Sequence, residues 1–232
     1  MRFDRRVIWM LAMLFAFSLS TSAQELAPAF PREGAEKVLE NDNFAIWKVK
    51  WEKGKSTGMH KLVLDQVTVI LSDGAIKVTS PDGTWSIAQM RLGAVRFDQK
   101  GAVVAEEGLS DEAGSAVVFQ LKDTKPIGYP VTESVPDMFP RVGGVLLFET
   151  DRISVWDATW KPGERIGRHM HYRRSAFVFI EGGRIRSITD QGVPEPPFAR
   201  KRGDVVSVNP RKDPHGEEEV EGTPRAIWVG FK

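Results

Sequence analysis

An internal duplication restricts the possible folds of this chain more than any other feature of its sequence. Residues 38–60 align without a gap on residues 147–169, with tryptophans, glycines and a histidine matching in one register. Further along, residues 116–122 align on residues 226–232. A repeat of this length predicts two copies of one structural unit, packed so that their apolar faces are covered.

The duplication divides the chain into segments. We interpret residues 24–122 as a first unit and residues 147–232 as a second, joined by a proline-rich connector over residues 123–146. Because proline fixes φ and lacks a backbone N–H, the connector is predicted to be extended rather than helical.

The first 23 residues have the layout of a secretory signal peptide. Arginines precede an apolar run over residues 7–17, and small residues lead to a cleavage site between Ala23 and Gln24. A membrane-spanning helix needs about 20 apolar residues, so this run is short for an anchor. We therefore expect residues 1–23 to be removed, leaving a periplasmic or secreted protein with no stable membrane span.

Both units show the two-residue alternation that is typical of β-strands. Trp47 and Trp51 fall on one side of a predicted strand over residues 44–51, and Trp156 and Trp160 repeat the pattern. In each unit, an apolar run that predicts a buried strand ends in a glycine-containing turn, at residues 72–74 and 181–183. Since no segment after the signal peptide keeps a helical period, we predict an all-β fold.

Three of the four histidines lie in the second unit. His169 and His171 form a His-x-His pair, and residues i and i+2 of a strand point to the same face. His215 comes later, just after a predicted strand and a proline-containing turn. If the three imidazoles converge, they can ligate a divalent transition metal and leave other positions open for water or substrate.

These motifs resemble the two-part signature of the cupin superfamily. The residues that match its glycine and histidine positions are Gly163, His169, His171, Gly182, Gly203 and His215. Cupins are small jelly-roll β-barrels, and the resemblance covers both units. It therefore implies a bicupin, in which two tandem cupin jelly-roll β-barrels form one chain.

The sequence departs from the cupin pattern in both units. Ser175 occupies the position of the signature glutamate, so the resemblance implies a metal held by the three histidines alone, with Fe, Mn, Ni or Zn as candidate ions. In the first unit only His60 remains, and Val104 lies about where the late histidine belongs. This degenerate barrel is expected to be structural or to hold a ligand cavity.

The residues after the histidine pair are candidate substrate-binding residues. Alternation puts Arg173, Ser175 and Phe177 on the face of the two histidines. An inward guanidinium would pair with a carboxylate or phosphate, which indicates a small, anionic substrate. The resemblance implies a metal-dependent dioxygenase or isomerase; the alternative is a non-catalytic cupin that binds a small ligand without metal.

Charge limits the possible partners. With 32 Lys and Arg against 31 Asp and Glu, the chain lacks the net basic surface of a dedicated nucleic-acid binder. The acidic residues within 217–221 and the basic residues 200–202 are predicted to be solvated loop charges. The apolar faces of the barrels are expected to be covered by a homodimer or by each other within the chain.

Overall fold

In the computed structural model, residues 26–125, 128–131, 134–211 and 213–232 are described. These ranges contain β-strands and no α-helix, which confirms the predicted all-β fold. Within them there is also no helix long and apolar enough to cross a membrane.

The first unit consists of two antiparallel sheets. Its strands are β1 (Ala35–Glu40), β2 (Phe44–Trp51), β3 (His60–Lys61), β4 (Asp65–Ile70), β5 (Gly74–Thr79), β6 (Trp85–Met90), β7 (Val95–Asp98), β8 (Val103–Gly108) and β9 (Gly114–Leu121). One sheet has the order β1-β2-β9-β4-β7, and the other has the order β3-β8-β5-β6.

The second unit repeats this strand order in a single sheet. Its strands are β10 (Gly144–Glu149), β11 (Ile153–Thr159), β12 (Ile166–His169), β13 (Ser175–Thr189), β14 (Phe198–Arg200), β15 (Val205–Val208) and β16 (His215–Phe231). The order is β10-β11-β16-β13-β14, with β12 paired to β16 and β15 paired to β13. Strand β13 corresponds to β4 and β5 together, and β16 corresponds to β8 and β9 together.

The turn predicted at residues 181–183 is wrong. These residues lie inside β13, where the register against β16 shifts between Phe179 and Glu181 and again between Glu181 and Gly183. Such irregularities bend a strand without ending it. In the first unit the equivalent bend breaks the strand, so that β4 and β5 are separate.

Strand β2 is buried on both faces, because one face lines the first unit and the other meets the second unit. Trp47 and Trp51 share one face, as their alternation predicted, and that face belongs to the interior of the first unit. Phe44 and Ile46 point the other way, into a core that both units share. The second unit contributes to that shared core through Ile153, Val155, Ala176, Val178, Ile180, Ile227, Val229 and Phe231. The two units thus cover an apolar face of each other within the chain.

The duplication extends further towards the N-terminus than the sequence alignment indicated. Phe30 stacks on Trp47 with ring centroids 4.9 Å apart, and Phe139 stacks on Trp156 at 5.0 Å. Each phenylalanine opens a Phe-Pro-Arg segment that leads into its unit. The connector predicted over residues 123–146 therefore contains packed residues of the second unit, and β10 begins inside it at Gly144. The domain boundaries stay predictions.

Candidate metal centre

Four side chains with metal-binding groups converge inside the second unit. His169 lies on β12, His171 lies just after it, and β16 carries His215 and Glu217. Strands β12 and β16 pair in a register that sets His169 opposite His215, with ring centroids 4.4 Å apart. One potential ligand atom from each of the four residues lies within 4.8 Å of the other three.

The donor set fits a divalent transition metal. Ligands on one ion, with bonds of about 2.0–2.2 Å, lie about 3.4 Å apart in a tetrahedral site, so four atoms that already lie within 4.8 Å of one another need to close by about 1.4 Å at most. The nitrogens His169 Nε2, His171 Nδ1 and His215 Nδ1 are buried and have no hydrogen-bond partner among the described residues. Since buried polar atoms are normally paired, each of the three rings has a nitrogen that the described part of the chain leaves unsatisfied.

The backbone fixes the tautomer of His169. Its Nδ1 lies 2.9 Å from the carbonyl oxygen of Gly167, which can only accept a hydrogen bond. Nδ1 therefore carries the proton, and the lone pair is on Nε2, the nitrogen that faces the cluster.

Glu217 was predicted to be a solvated loop charge, and this prediction is wrong. Its side chain is 12 % exposed, and its Oε2 accepts a hydrogen bond of 2.8 Å from Trp160 Nε1. Its Oε1 lies 3.8 Å from His215 Nε2. The next residue, Glu218, does pair with Arg165 near the surface. The i, i+2 spacing of His215 and Glu217 on one strand could have indicated that both face inward.

Burial favours the neutral form of two imidazoles in the cluster, those of His169 and His171. It lowers the pKa of His169, and it lowers the pKa of His171 to about 3 with help from the neighbouring imidazole of His169. Burial would raise the pKa of Glu217, but the neighbouring His215, the positive charge that His169 and His171 carry when protonated, and Arg141 together bring it to about 2. Neutral imidazoles beside a carboxylate are the forms that bind metal.

A cavity of about 130 Å³ adjoins the cluster. It is lined by Trp160, His171, Phe177, Phe179, Ile185, Ser187, Phe198, Arg200, Val206, Val208, Arg211, His215 and Glu217. Of the three predicted substrate-binding residues, Phe177 lines this cavity, whereas Arg173 and Ser175 are not among its lining residues. Ser175 is fully buried, and its hydroxyl has no partner among the described residues.

Arg173 lies beside the connector instead. Its backbone forms a bridge with Gly128, and its charge lowers the pKa of Asp137, although burial of that carboxyl has the larger, raising effect. The prediction that Arg173 shares the face of the histidines fails because the chain is irregular between β12 and β13. Strand alternation therefore does not hold from His169 to Arg173.

Two other arginines line the cavity in its place. The guanidinium carbon of Arg200 lies 4.5 Å from the ring centroid of Phe198, so this residue is not the fully solvated charge that was predicted. Arg211 is exposed, and its backbone N–H donates to the carbonyl of His171 at 2.9 Å. The backbone of Arg211 is thereby held next to the cluster of His169, His171, His215 and Glu217.

Comparison with known proteins gives matches among solved structures alone. No protein-family model matches the sequence, and no curated protein matches it. YlbA from E. coli aligns with a TM-score of 0.58 at 11% identity, over 87% of this chain and 84% of that chain. A cupin 2 conserved barrel domain protein from Leptotrichia buccalis gives 0.54 at 13% identity, over 85% of this chain and 88% of that one. Bacillus subtilis oxalate decarboxylase gives 0.55 at 14% identity, over 87% and 74%.

Proposed function

Since the chain has the cupin fold, we propose that its second unit binds a divalent transition metal through His169, His171, His215 and Glu217. The observation that supports this proposal is the convergence of four potential ligand atoms within 4.8 Å. Mn(II) centres occur in the structurally similar Bacillus subtilis oxalate decarboxylase, which agrees with a divalent ion. Fe, Mn, Ni and Zn are the candidate metals.

We further propose that a small, anionic molecule binds in the adjoining cavity and is transformed there in a dioxygenase- or isomerase-like reaction. When bound, the ion supplies Lewis-acid polarisation of substrate oxygens. Arg200 and Arg211 attract and orient the anion, because guanidinium groups pair strongly with carboxylates. The phenylalanine walls, including Phe177 and Phe179, exclude water from the reacting groups.

The metal content of natively purified protein tests the first proposal. We expect about one transition-metal ion per chain, lost in His169→Ala and in His215→Ala. The matched control is His60→Ala, because His60 pairs with Val104 in the first unit as His169 pairs with His215 in the second. Metal-free wild-type protein, with unaltered folding of the variants, would contradict the proposal and favour a ligand-binding cupin without metal.

Export is a separate proposal. The predicted signal peptide, with its cleavage site between Ala23 and Gln24, lies outside the described residues. We propose that the chain is exported to the periplasm or secreted. N-terminal sequencing of the protein from the periplasm or medium should give Gln24 as the first residue; an intact leader on cytoplasmic protein contradicts this.

A further inference from the structure

The first unit contains its own cavity, of about 230 Å³, apart from the metal-binding cluster. Its charged and polar lining residues include Arg32, His60, Gln66, Thr68, Arg96, Asp98 and Glu106. Ser86, which also lines the cavity, is exposed, so solvent reaches the interior along β6. Pockets for drug-sized ligands measure about 300–1,000 Å³, so this cavity is suited to a smaller molecule.

The polar groups of this cavity do not form a metal site. Val104 stands opposite His60 at the position that His215 occupies in the second unit. His60 Nδ1 lies 3.0 Å from the carbonyl oxygen of Gly58, and Glu106 accepts a hydrogen bond of 2.9 Å from Trp51 Nε1. One imidazole and two carboxylates, Asp98 and Glu106, which are both already paired with Arg96, leave too few free ligands for a transition metal.

The charged groups form a chain of alternating sign that ends on Arg32. Arg96 Nε donates to Asp98 at 2.7 Å, and Arg96 Nη2 donates to Glu106 at 2.9 Å. The other oxygen of Glu106 lies 3.4 Å from Arg32 Nη2. Arg32 therefore joins this chain of charges through one of its three guanidinium nitrogens.

The lining of this cavity has donors without acceptors. Arg32 Nε and Nη1, Gln66 Nε2 and Thr68 Oγ1 are all buried, and they have no hydrogen-bond partner in the described part of the chain. Burial lowers the pKa of Arg32 even though Glu106 opposes this effect, so the guanidinium is incompletely compensated. Buried donors left unpaired are costly, and an acceptor bearing negative charge would relieve that cost.

We propose that the first unit binds a small carboxylate with an apolar body. The carboxylate accepts hydrogen bonds from Arg32, Gln66 and Thr68. The apolar body packs against Leu62, Val118 and other apolar residues of the same lining. The duplicated halves then have different tasks: the second unit holds a metal, and the first holds an organic acid without one.

Calorimetric titration of the full exported chain, freed of metal by chelation, tests this proposal. The probes are acetate, butanoate and hexanoate, with butanamide as the neutral counterpart of butanoate. We expect saturable binding of at least one acid, and butanamide at least about tenfold weaker than butanoate, because charge-assisted hydrogen bonds are about twice as strong as neutral ones. Absence of saturable binding by all three acids, or equal binding of butanamide, overturns the proposal.

Two variants locate the binding site. Arg32→Met should abolish acid binding, while Glu106 keeps its bonds to Arg96 and Trp51. Arg141→Met is the matched control, because Arg141 occupies the same place in the Phe-Pro-Arg segment of the second unit, and binding should be unchanged. Loss of binding in Arg141→Met but not in Arg32→Met would place the acid in the second unit and refute the proposal.

A conservative variant covers the case in which Arg32→Met does not fold. Thr68→Val keeps the shape of a side chain that is 1% exposed and removes its unpaired hydroxyl. The loss of one hydrogen bond to a charged group should weaken acid binding by about tenfold or more. Wild-type affinity in Thr68→Val contradicts the proposed contact.

Discussion

Replacing Glu217 with glutamine tests whether this residue is a metal ligand. The amide has the same shape, and its oxygen can still accept the hydrogen bond that Trp160 Nε1 donates at 2.8 Å. The substitution removes the negative charge of the cluster, so that a divalent ion would keep its full 2+ charge in a buried site. Because charge left uncompensated in a protein interior is costly, metal affinity should fall.

The structure sets a lower limit for the size of this effect. Groups that only support metal ligands usually change affinity by about 10–100-fold when they are removed. An oxygen of Glu217 lies in the ligand cluster itself, within 4.8 Å of the three histidine nitrogens. We therefore expect a loss of at least about 100-fold in affinity, which corresponds to about 2.7 kcal/mol.

Competition titration with a metal-binding dye measures this effect, using Mn²⁺ and Zn²⁺ on the metal-free protein. Glu106→Gln is the control, because Glu106 accepts from Trp51 in the first unit as Glu217 accepts from Trp160 in the second. The metal affinity of Glu106→Gln should stay within about twofold of the wild-type value. Circular dichroism confirms that both variants are folded. Wild-type affinity in Glu217→Gln would refute the assignment of this carboxylate as a ligand.

Three further predictions concern stability and assembly. Phe44→Ala, in the core shared by both units, should lower the free energy of unfolding by about 3–5 kcal/mol. Urea denaturation should show a single transition; two separate transitions would mean that the units unfold independently. Burial would raise the pKa of Glu106, but Arg96 and Arg32 lower it below the value of 4.5 expected in the unfolded chain. The ionised carboxylate therefore stabilises the folded protein above pH 4.5, and the free energy of unfolding should decrease as the pH falls below 4.5. An equally steep decrease in Glu106→Gln would contradict this explanation. A homodimer that forms through the edge strand β10 should dissociate when Leu146, which is 43% exposed on that strand, is replaced in Leu146→Glu. An unchanged dimer in light scattering would exclude β10 as the interface.

The sequence by itself determined the repeated β architecture. Trp47 and Trp51 repeat as Trp156 and Trp160 because the same pleated strand must present its large side chains to the same interior in both units. The His-x-His pair and the later histidine were also visible, since a ligand set with a recognisable spacing leaves a pattern along the chain. These features depend on local periodicity, which sequence records directly.

The tertiary structure alone decided which other side chains join the cluster. Glu217 stands in an acidic run, where its i, i+2 spacing from His215 indicates only that the two residues share a face. The pairing of β16 with β12 brings it beside His169, and the pairing of β16 with β11 brings it beside Trp160. Arg173 was assigned to the substrate site because successive residues of a strand alternate between its two faces. This alternation is interrupted where the chain leaves β12 before it enters β13. The alternation of faces holds only within one regular strand, whereas burial and charge pairing depend on residues that are distant in sequence. The histidine–glutamate cluster and the cavity of the first unit are products of that long-range packing.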